Sequence, residues 1–182
     1  MLDAFARRLI DPPLNGLGQR LARAGVSANQ VTLAGLAVGL LGALTIVGGA
    51  FWLAMMLILG SRFLDGLDGA TARAAQPTDF GGYLDIVSDF LFYGAVPLAF
   101  VIHNPEANAI AGAVLLTSFY FNGASFLGYA ALAAKRGIET RAQGIKSLYF
   151  SNGLLEGTET IAFFVALCLW PHAFAMLAYV SA

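Results

Sequence analysis

Five apolar stretches succeed one another from residue 27 onward, separated by short polar breaks, and a sixth begins at Pro171. A run of about 20 apolar residues crosses a bilayer as a helix, because lipid offers no partner to its backbone amides and carbonyls. The composition agrees: 58% hydrophobic residues, 12% charged residues and a mean hydropathy of +0.73 exclude an ordinary soluble domain. The chain therefore reads as an all-α, polytopic helical membrane protein with about six transmembrane helices. Residues 1–26 form an interfacial amphipathic segment and residues 27–182 the transmembrane domain.

Local signals set the boundaries. Asp11 is read as an N-cap with Pro12 at the first helical position, followed at helical spacing by Leu14, Leu17 and Leu21. Arg20 and Arg23 suit the last turn and Gly25 ends it. One apolar stripe beside arginines predicts a helix lying on the membrane surface, and no cleavable leader is expected. Ser27 and Gln30 have the spacing of a capping box and open the first span, which runs to about Gly49. Phe51 and Trp52 begin the second, which ends near Ala75. Asp79 is read as the cap of the third, from Phe80 to about Ile102. Asn104-Pro105 opens the fourth, which closes near Ala134 with Gly137 beyond it, and the fifth covers roughly Leu148 to Trp170. From Pro171 only 12 residues remain. At about 1.5 Å per residue they cannot cross a core of about 30 Å, so the sixth helix is expected to be a stub or cut short.

The basic residues set the orientation. Arg7, Arg8, Arg20, Arg23, Arg73, Lys135, Arg136, Arg141 and Lys146 all fall at one side of the membrane when spans alternate, whereas Glu106 is the full charge of the opposite loops. That side is expected to be cytoplasmic. His103 and His172 fall on the other side and read as interfacial residues; Cys168, in an apolar run, reads as a buried thiol. A net charge of −1 carries no polyanion-binding footprint, and no nucleic-acid partner is expected.

On the basic side lie four carboxylates in two pairs. Asp65 and Asp68 precede the turn signal Gln76-Pro77-Thr78, and Asp85 and Asp89 follow it. On helices, spacings of three and four place each pair on one face, and a hairpin closing at Pro77 brings the faces together. Clustered carboxylates repel one another and are costly to desolvate, so a cation is expected between them. Oxygen ligands suit a hard divalent ion, Mg²⁺ or Mn²⁺. Gly69 and Ala72 leave room for a ligand beside the helix, and Arg73, one turn on, can bind phosphate through its forked guanidinium. Metal-bound carboxylates beside an arginine make a diphosphate site. The plainer alternative, an ion-pair network joining two helices, leaves the acids in excess of the arginines.

These residues resemble the signature of the CDP-alcohol phosphatidyltransferases, D-x2-D-G-x2-A-R followed by G-x3-D-x3-D. The signature stands here as Asp65, Asp68, Gly69, Ala72 and Arg73, then Gly81, Asp85 and Asp89. Seven residues separate Arg73 from Gly81, one fewer than the family pattern, and the shortening falls in the turn around Pro77. The basic N-terminal segment and the Asn29-x-x-Thr32 entry to the first span belong to the same resemblance. The run Glu156-Gly157-Thr158-Glu159-Thr160 is most similar to little-characterised bacterial members, which implies a bacterial inner membrane, and the one-sided basic residues put the active site on its cytoplasmic face.

The resemblance implies transfer of the phosphatidyl group from CDP-diacylglycerol, or another CDP-alcohol, to an alcohol with release of CMP, in phospholipid biosynthesis. It implies metal ligation by Asp65, Asp68, Asp85 and Asp89, with two ions, and assigns Asp89 as the base towards the acceptor hydroxyl. Asp65, Asp68, Gly69, Ala72 and Arg73 would bind the nucleotide and diphosphate, with Thr32 as a further candidate and Gly81 as a packing residue. A homodimer is also implied, for which Gly112, Gly123 and Gly128 of the fourth span would permit close contact.

The acceptor is less constrained. A phosphorylated acceptor needs basic groups, and Lys146 and Arg141 are the candidates; Glu156 and Glu159 speak instead for a cationic alcohol such as serine. The residues lean to glycerol 3-phosphate, with serine, inositol-type or other alcohols as alternatives. Two other classes compete. A membrane prenyltransferase also uses aspartate-bound Mg²⁺, but with Asp-rich motifs on distant helices. A divalent-cation transporter would place acids along a path near the midplane, where only Glu156 and Glu159 qualify.

Overall fold

The computed structural model describes residues 2–136 and 157–182. They form α1 (Leu2–Arg23), α2 (Ala28–Val47), α3 (Phe51–Ala74), α4 (Asp79–His103), α5 (Pro105–Lys135), α6 (Gly157–Leu169) and α7 (Phe174–Ser181), with a 3₁₀ turn at Pro171–Ala173. No strand occurs among the described residues. The protein is all-α, with α2, α4 and α5 each long and apolar enough to cross a membrane. At 24 residues α3 has the length too, but Arg62, Asp65, Asp68 and Arg73 crowd its second half.

The helix ends follow from local chemistry. The Ser27 hydroxyl accepts the Gln30 amide proton while the Gln30 side chain accepts that of Ser27, the reciprocal cap expected for α2. Asn104 caps α5 through the Ala107 amide, with Pro105 in the first turn. Gly25 and Gly49 adopt positive φ, 79° and 77°, just past α1 and α2. In each case the next residue's amide reaches back to a carbonyl five positions earlier: Val26 to Leu21 and Ala50 to Thr45.

Two expected caps are different. Thr78, not Asp79, caps α4: its hydroxyl accepts the Gly81 amide proton at 3.0 Å from an extended backbone, leaving Asp79 as the first helical residue. Asp11 is no N-cap either, because α1 begins at Leu2 and runs through Pro12 and Pro13. The missing amide donors of those prolines are what made a start there look natural.

Successive spans run antiparallel. Gly35 lies against Leu64 and Gly42 against Leu57; Phe51 at the start of α3 stacks on Phe100 near the end of α4. The His103 ring nitrogen meets the Val47 carbonyl at 3.2 Å, tying the far ends of α2 and α4 together. Between the layers a core of Phe92, Phe100, Phe164, Phe174, Ile46 and Leu115 is closed to solvent. Cys168 is buried there as a free thiol, as expected.

The sixth helix is short, as expected: α7 has eight residues, about 12 Å of helix. α6 and α7 are bent 115° apart at Trp170–Pro171, and α7 turns back onto α5 at Gly112, while its Phe174 stacks on Phe100 of α4 at 5.2 Å. The glycines of α5 are also used within the chain. Gly112 faces Val101 and Phe174, and Gly123 faces the Phe90 ring; Gly128 alone of the three has open space beside it. The expected start of the fifth span at Leu148 and the stop at Gly137 lie outside the described residues.

α1 docks at the site end of α3. Leu14 packs on Gly66 in a small cluster with Val31, Leu67 and Ala70, while Leu17 of the same stripe stays exposed. Gly18 sits so close to α3 that a Cβ would lie 2.6 Å from the Ala70 carbonyl carbon. Backbone cannot step aside as a side-chain tip can. Gly18→Val is therefore expected to lift α1 from α3 at a cost of about 1–3 kcal/mol. An unchanged melting temperature in detergent together with an unchanged rate of CMP release would show that α1 docks elsewhere.

Candidate active site

The short connection from Ala75 to Thr78 folds α4 back along α3, and the two aspartate pairs meet across it. Asp65, Asp68 and Asp85 each offer a carboxylate oxygen, and the three oxygens lie within 4.8 Å of one another. Asp68 is buried, at 5% exposure, and the other two are half-buried. An all-oxygen set from three acidic side chains on two helices fits a hard divalent ion. No other element among the described residues brings together a set of this kind.

α2 holds the buried member in place. The Thr32 hydroxyl lies 2.6 Å from Asp68 Oδ2 and 3.1 Å from the Ala28 carbonyl; its single proton goes to the closer, charged acceptor. Thr32 thus orients a carboxylate of the cluster. On the same face of α2, Asn29 reaches Gly81: a Cβ on Gly81 would lie 3.1 Å from Asn29 Oδ1 and 3.1 Å from its own cap, Thr78 Oγ1. A side chain at Gly81 would crowd both oxygens.

Asp89 stands outside the three-oxygen cluster. Its Oδ1 accepts a hydrogen bond from Arg62 Nη1 at 2.6 Å, and the same nitrogen lies 3.5 Å from Asp65 Oδ1. The Arg62 side chain is 9% exposed and its guanidinium lies over the Phe92 ring, 4.2 Å from the centroid, with Tyr93 at 5.6 Å. Phe92 in turn lies against Gly39, where a Cβ would be 2.6 Å from the ring. The neighbouring Ser61 donates to the Gly35 carbonyl at 2.7 Å. Sequence reasoning missed Arg62 as a site residue, although its place three residues before Asp65 was a signal.

Arg73 is exposed at the mouth. Its Nη2 donates to Asn15 Oδ1 of α1 at 3.0 Å, and its Nη1 lies over Gly69, 3.3 Å from where a Cβ would be. Gly69 thereby gives the guanidinium its path along the helix, and Ala72 is half-buried beside it. On α6, Glu159 is partly buried and its Oε2 is closed to solvent with no hydrogen-bond partner among the described residues. Thr160 and Phe164, a turn apart, are buried, and Phe164 meets Phe92 and Tyr93. The start of α6 is thereby level with Asp89, one turn from Phe92. Arg141, Lys146 and Glu156 lie outside the described residues.

A family model described as CDP-alcohol phosphatidyltransferase matches residues 26–182. The chain is 46% identical to the inner membrane protein YnjF of Escherichia coli (strain K12) over 175 residues, 96% of this chain and 85% of that protein. It is 37% identical to an archaetidylinositol phosphate synthase of Pyrococcus horikoshii over 86 residues, 47% of this chain and 46% of that one. A phosphatidylinositol phosphate synthase of Mycobacteroides abscessus is 38% identical over 99 residues, 53% of this chain and 44% of that enzyme. The matches to these two synthases span less than half of their lengths.

Proposed function

The chain belongs to the CDP-alcohol phosphatidyltransferase family, and from that premise we propose that it transfers the phosphatidyl group of CDP-diacylglycerol to an inositol phosphate or a closely similar phosphorylated polyol. The acceptor hydroxyl oxygen attacks the lipid-bearing phosphorus, the bond to the CMP oxygen breaks, and CMP leaves. Asp65, Asp68 and Asp85 are the ligands for Mg²⁺ or Mn²⁺, with Thr32 holding Asp68 in register. A divalent ion bound there supplies the positive charge that offsets the diphosphate and the departing CMP. Arg73, steadied by Asn15 and running along Gly69, grips nucleotide phosphate. Asp89 takes the proton of the attacking hydroxyl; Arg62 fixes its carboxylate.

The observation that carries this reading is the convergence of Asp65, Asp68 and Asp85 on one point at the mouth of an apolar helical bundle, beside an arginine on a Gly-x-x-Ala-Arg turn. Two relatives named for inositol phosphate products move the acceptor from glycerol 3-phosphate towards an inositol phosphate. The buried Glu159 oxygen suits a polyol, whose hydroxyls can donate to it. Lys146 and Arg141 remain candidates for the acceptor phosphate. Purified protein given CDP-diacylglycerol, Mg²⁺ and one acceptor at a time should release CMP with an inositol phosphate. Release with glycerol 3-phosphate alone would return the acceptor to the sequence-based lean; release with serine alone would overturn a phosphorylated acceptor.

The site faces the cytoplasm in this reading, because Arg20, Arg23, Arg73, Lys135 and Arg136 share its end of the bundle and Glu106 lies at the other. Glu106→Cys should react with an impermeant thiol reagent from outside spheroplasts, and Arg136→Cys should not. The reverse pattern would turn the protein over.

A further inference from the structure

The four signature aspartates do not form one cluster: three converge, and the fourth is held by an arginine. Arg62 Nη1 lies 2.6 Å from Asp89 Oδ1 and 3.5 Å from Asp65 Oδ1, so it occupies the bridging position between these two carboxylates. A second metal ion shared by Asp65 and Asp89 would need that place. The guanidinium is not a mobile surface group that could readily yield it. Its side chain is 9% exposed and lies on Phe92, which is itself closed to solvent and set against Gly39 of α2. Tyr93 flanks it as well, and the backbone that carries it is pinned by the Ser61 bond to the Gly35 carbonyl. Moving it would leave a buried cation without its partners and a void over the ring. A fixed positive charge within bonding distance of Asp89 also repels a divalent ion arriving there.

We propose that Arg62 is the built-in second cation of this site, so that the chain holds a single divalent ion, at Asp65, Asp68 and Asp85, where the sequence led to an expectation of two. Arg62 is a positioning residue on this reading. It sets the Asp89 carboxylate for the acceptor and balances its charge, while the ion serves the diphosphate. The inference rests on the metal assignment of the three-oxygen cluster but not on the identity of the acceptor.

Titration of the detergent-solubilised full chain with Mn²⁺, reading free ion by its paramagnetic resonance signal, tests it without turnover. The wild type should saturate at one Mn²⁺ per chain. Asp89→Asn should keep that ion with an affinity within about threefold of wild type, whereas Asp68→Asn should weaken it by about 100-fold or more. Arg62→Gln should open the bridging position and take up a second, weaker ion, and Arg62→Lys, which retains the charge, should stay at one. Two ions on the wild type, or a loss in Asp89→Asn as deep as in Asp68→Asn, would overturn the proposal while leaving the metal site standing. Equal stoichiometry in wild type, Arg62→Gln and Arg62→Lys would overturn the placeholder role. Undiminished Mn²⁺ binding by Asp68→Asn would remove both the proposal and the metal assignment beneath it. The wild-type and Asp89→Asn measurements decide the matter even if the Arg62 variants fail to fold.

Discussion

Asp68→Asn is expected to reduce CMP release by on the order of 10³-fold, the scale at which loss of one preorganised electrostatic group is felt. The expectation rests on what the substitution keeps as well as on what it removes. Asparagine has nearly the same shape, and its carbonyl oxygen can still accept the Thr32 hydroxyl proton across the 2.6 Å contact with α2. What disappears is one negative charge from a set of three convergent oxygens. In EDTA that loss relieves repulsion between neighbouring carboxylates, so the variant should melt no lower than the wild type and should extract from membranes as well. Adding Mg²⁺ should then raise the melting temperature of the wild type by mass action and leave the variant nearly unmoved. Turnover within about tenfold of wild type, or wild-type turnover that survives EDTA, would sink the metal reading of the cluster.

Much of this site could be read before any fold was known, because its main parts are local. Asp65 and Asp68 sit on one helix at a spacing that shares a face, and Asp85 faces them across a connection marked by Pro77. The capping box at Ser27 and the Asn104-Pro105 start of α5 were equally legible, since both the donor and the acceptor lie within one turn. Residues whose partners are remote in sequence were not. Arg62 is three residues from Asp65, yet its closer partner is Asp89, 27 residues on, and only the crossing of α3 and α4 decides between them. Asn15 finds Arg73 because Gly18 lets α1 approach the backbone of α3, and no periodicity within α1 announces that. Gly112 and Gly123 carried a correct signal, close helix contact, but spacing alone cannot say whose helix is contacted. The choice between Thr78 and Asp79 as a cap was closer still: both types cap well, and the extended backbone at Thr78 selects it.

Asp89→Asn and Arg73→Ala should separate chemistry from binding. Asp89 is not one of the three mutually close carboxylates and is 32% exposed at the side chain, so it can meet an acceptor entering from the mouth. Asparagine there can still accept a hydrogen bond from Arg62 Nη1, whose second carboxylate, Asp65 at 3.5 Å, remains. It cannot take up a proton. Turnover should fall by about 10²–10⁴-fold, the range for loss of a positioned acid–base group, while equilibrium binding of CDP changes little. Arg73 predicts the reverse. Its guanidinium spans from Asn15 to the helix face over Gly69, and alanine removes the phosphate donor without touching the acids. CDP binding should weaken by about tenfold or more, with a smaller change in turnover at saturating substrate. The two variants also guard against a purely structural role for Asp89. If its pair with Arg62 served only to join α3 and α4, Asp89→Asn would lower the melting temperature and depress binding and turnover together. A fall in turnover alone, in a protein that melts as the wild type does, is the signature of the proton acceptor. Unchanged turnover in Asp89→Asn would move the proton to another group, and the partly buried Glu159 on α6 would be the next residue to replace.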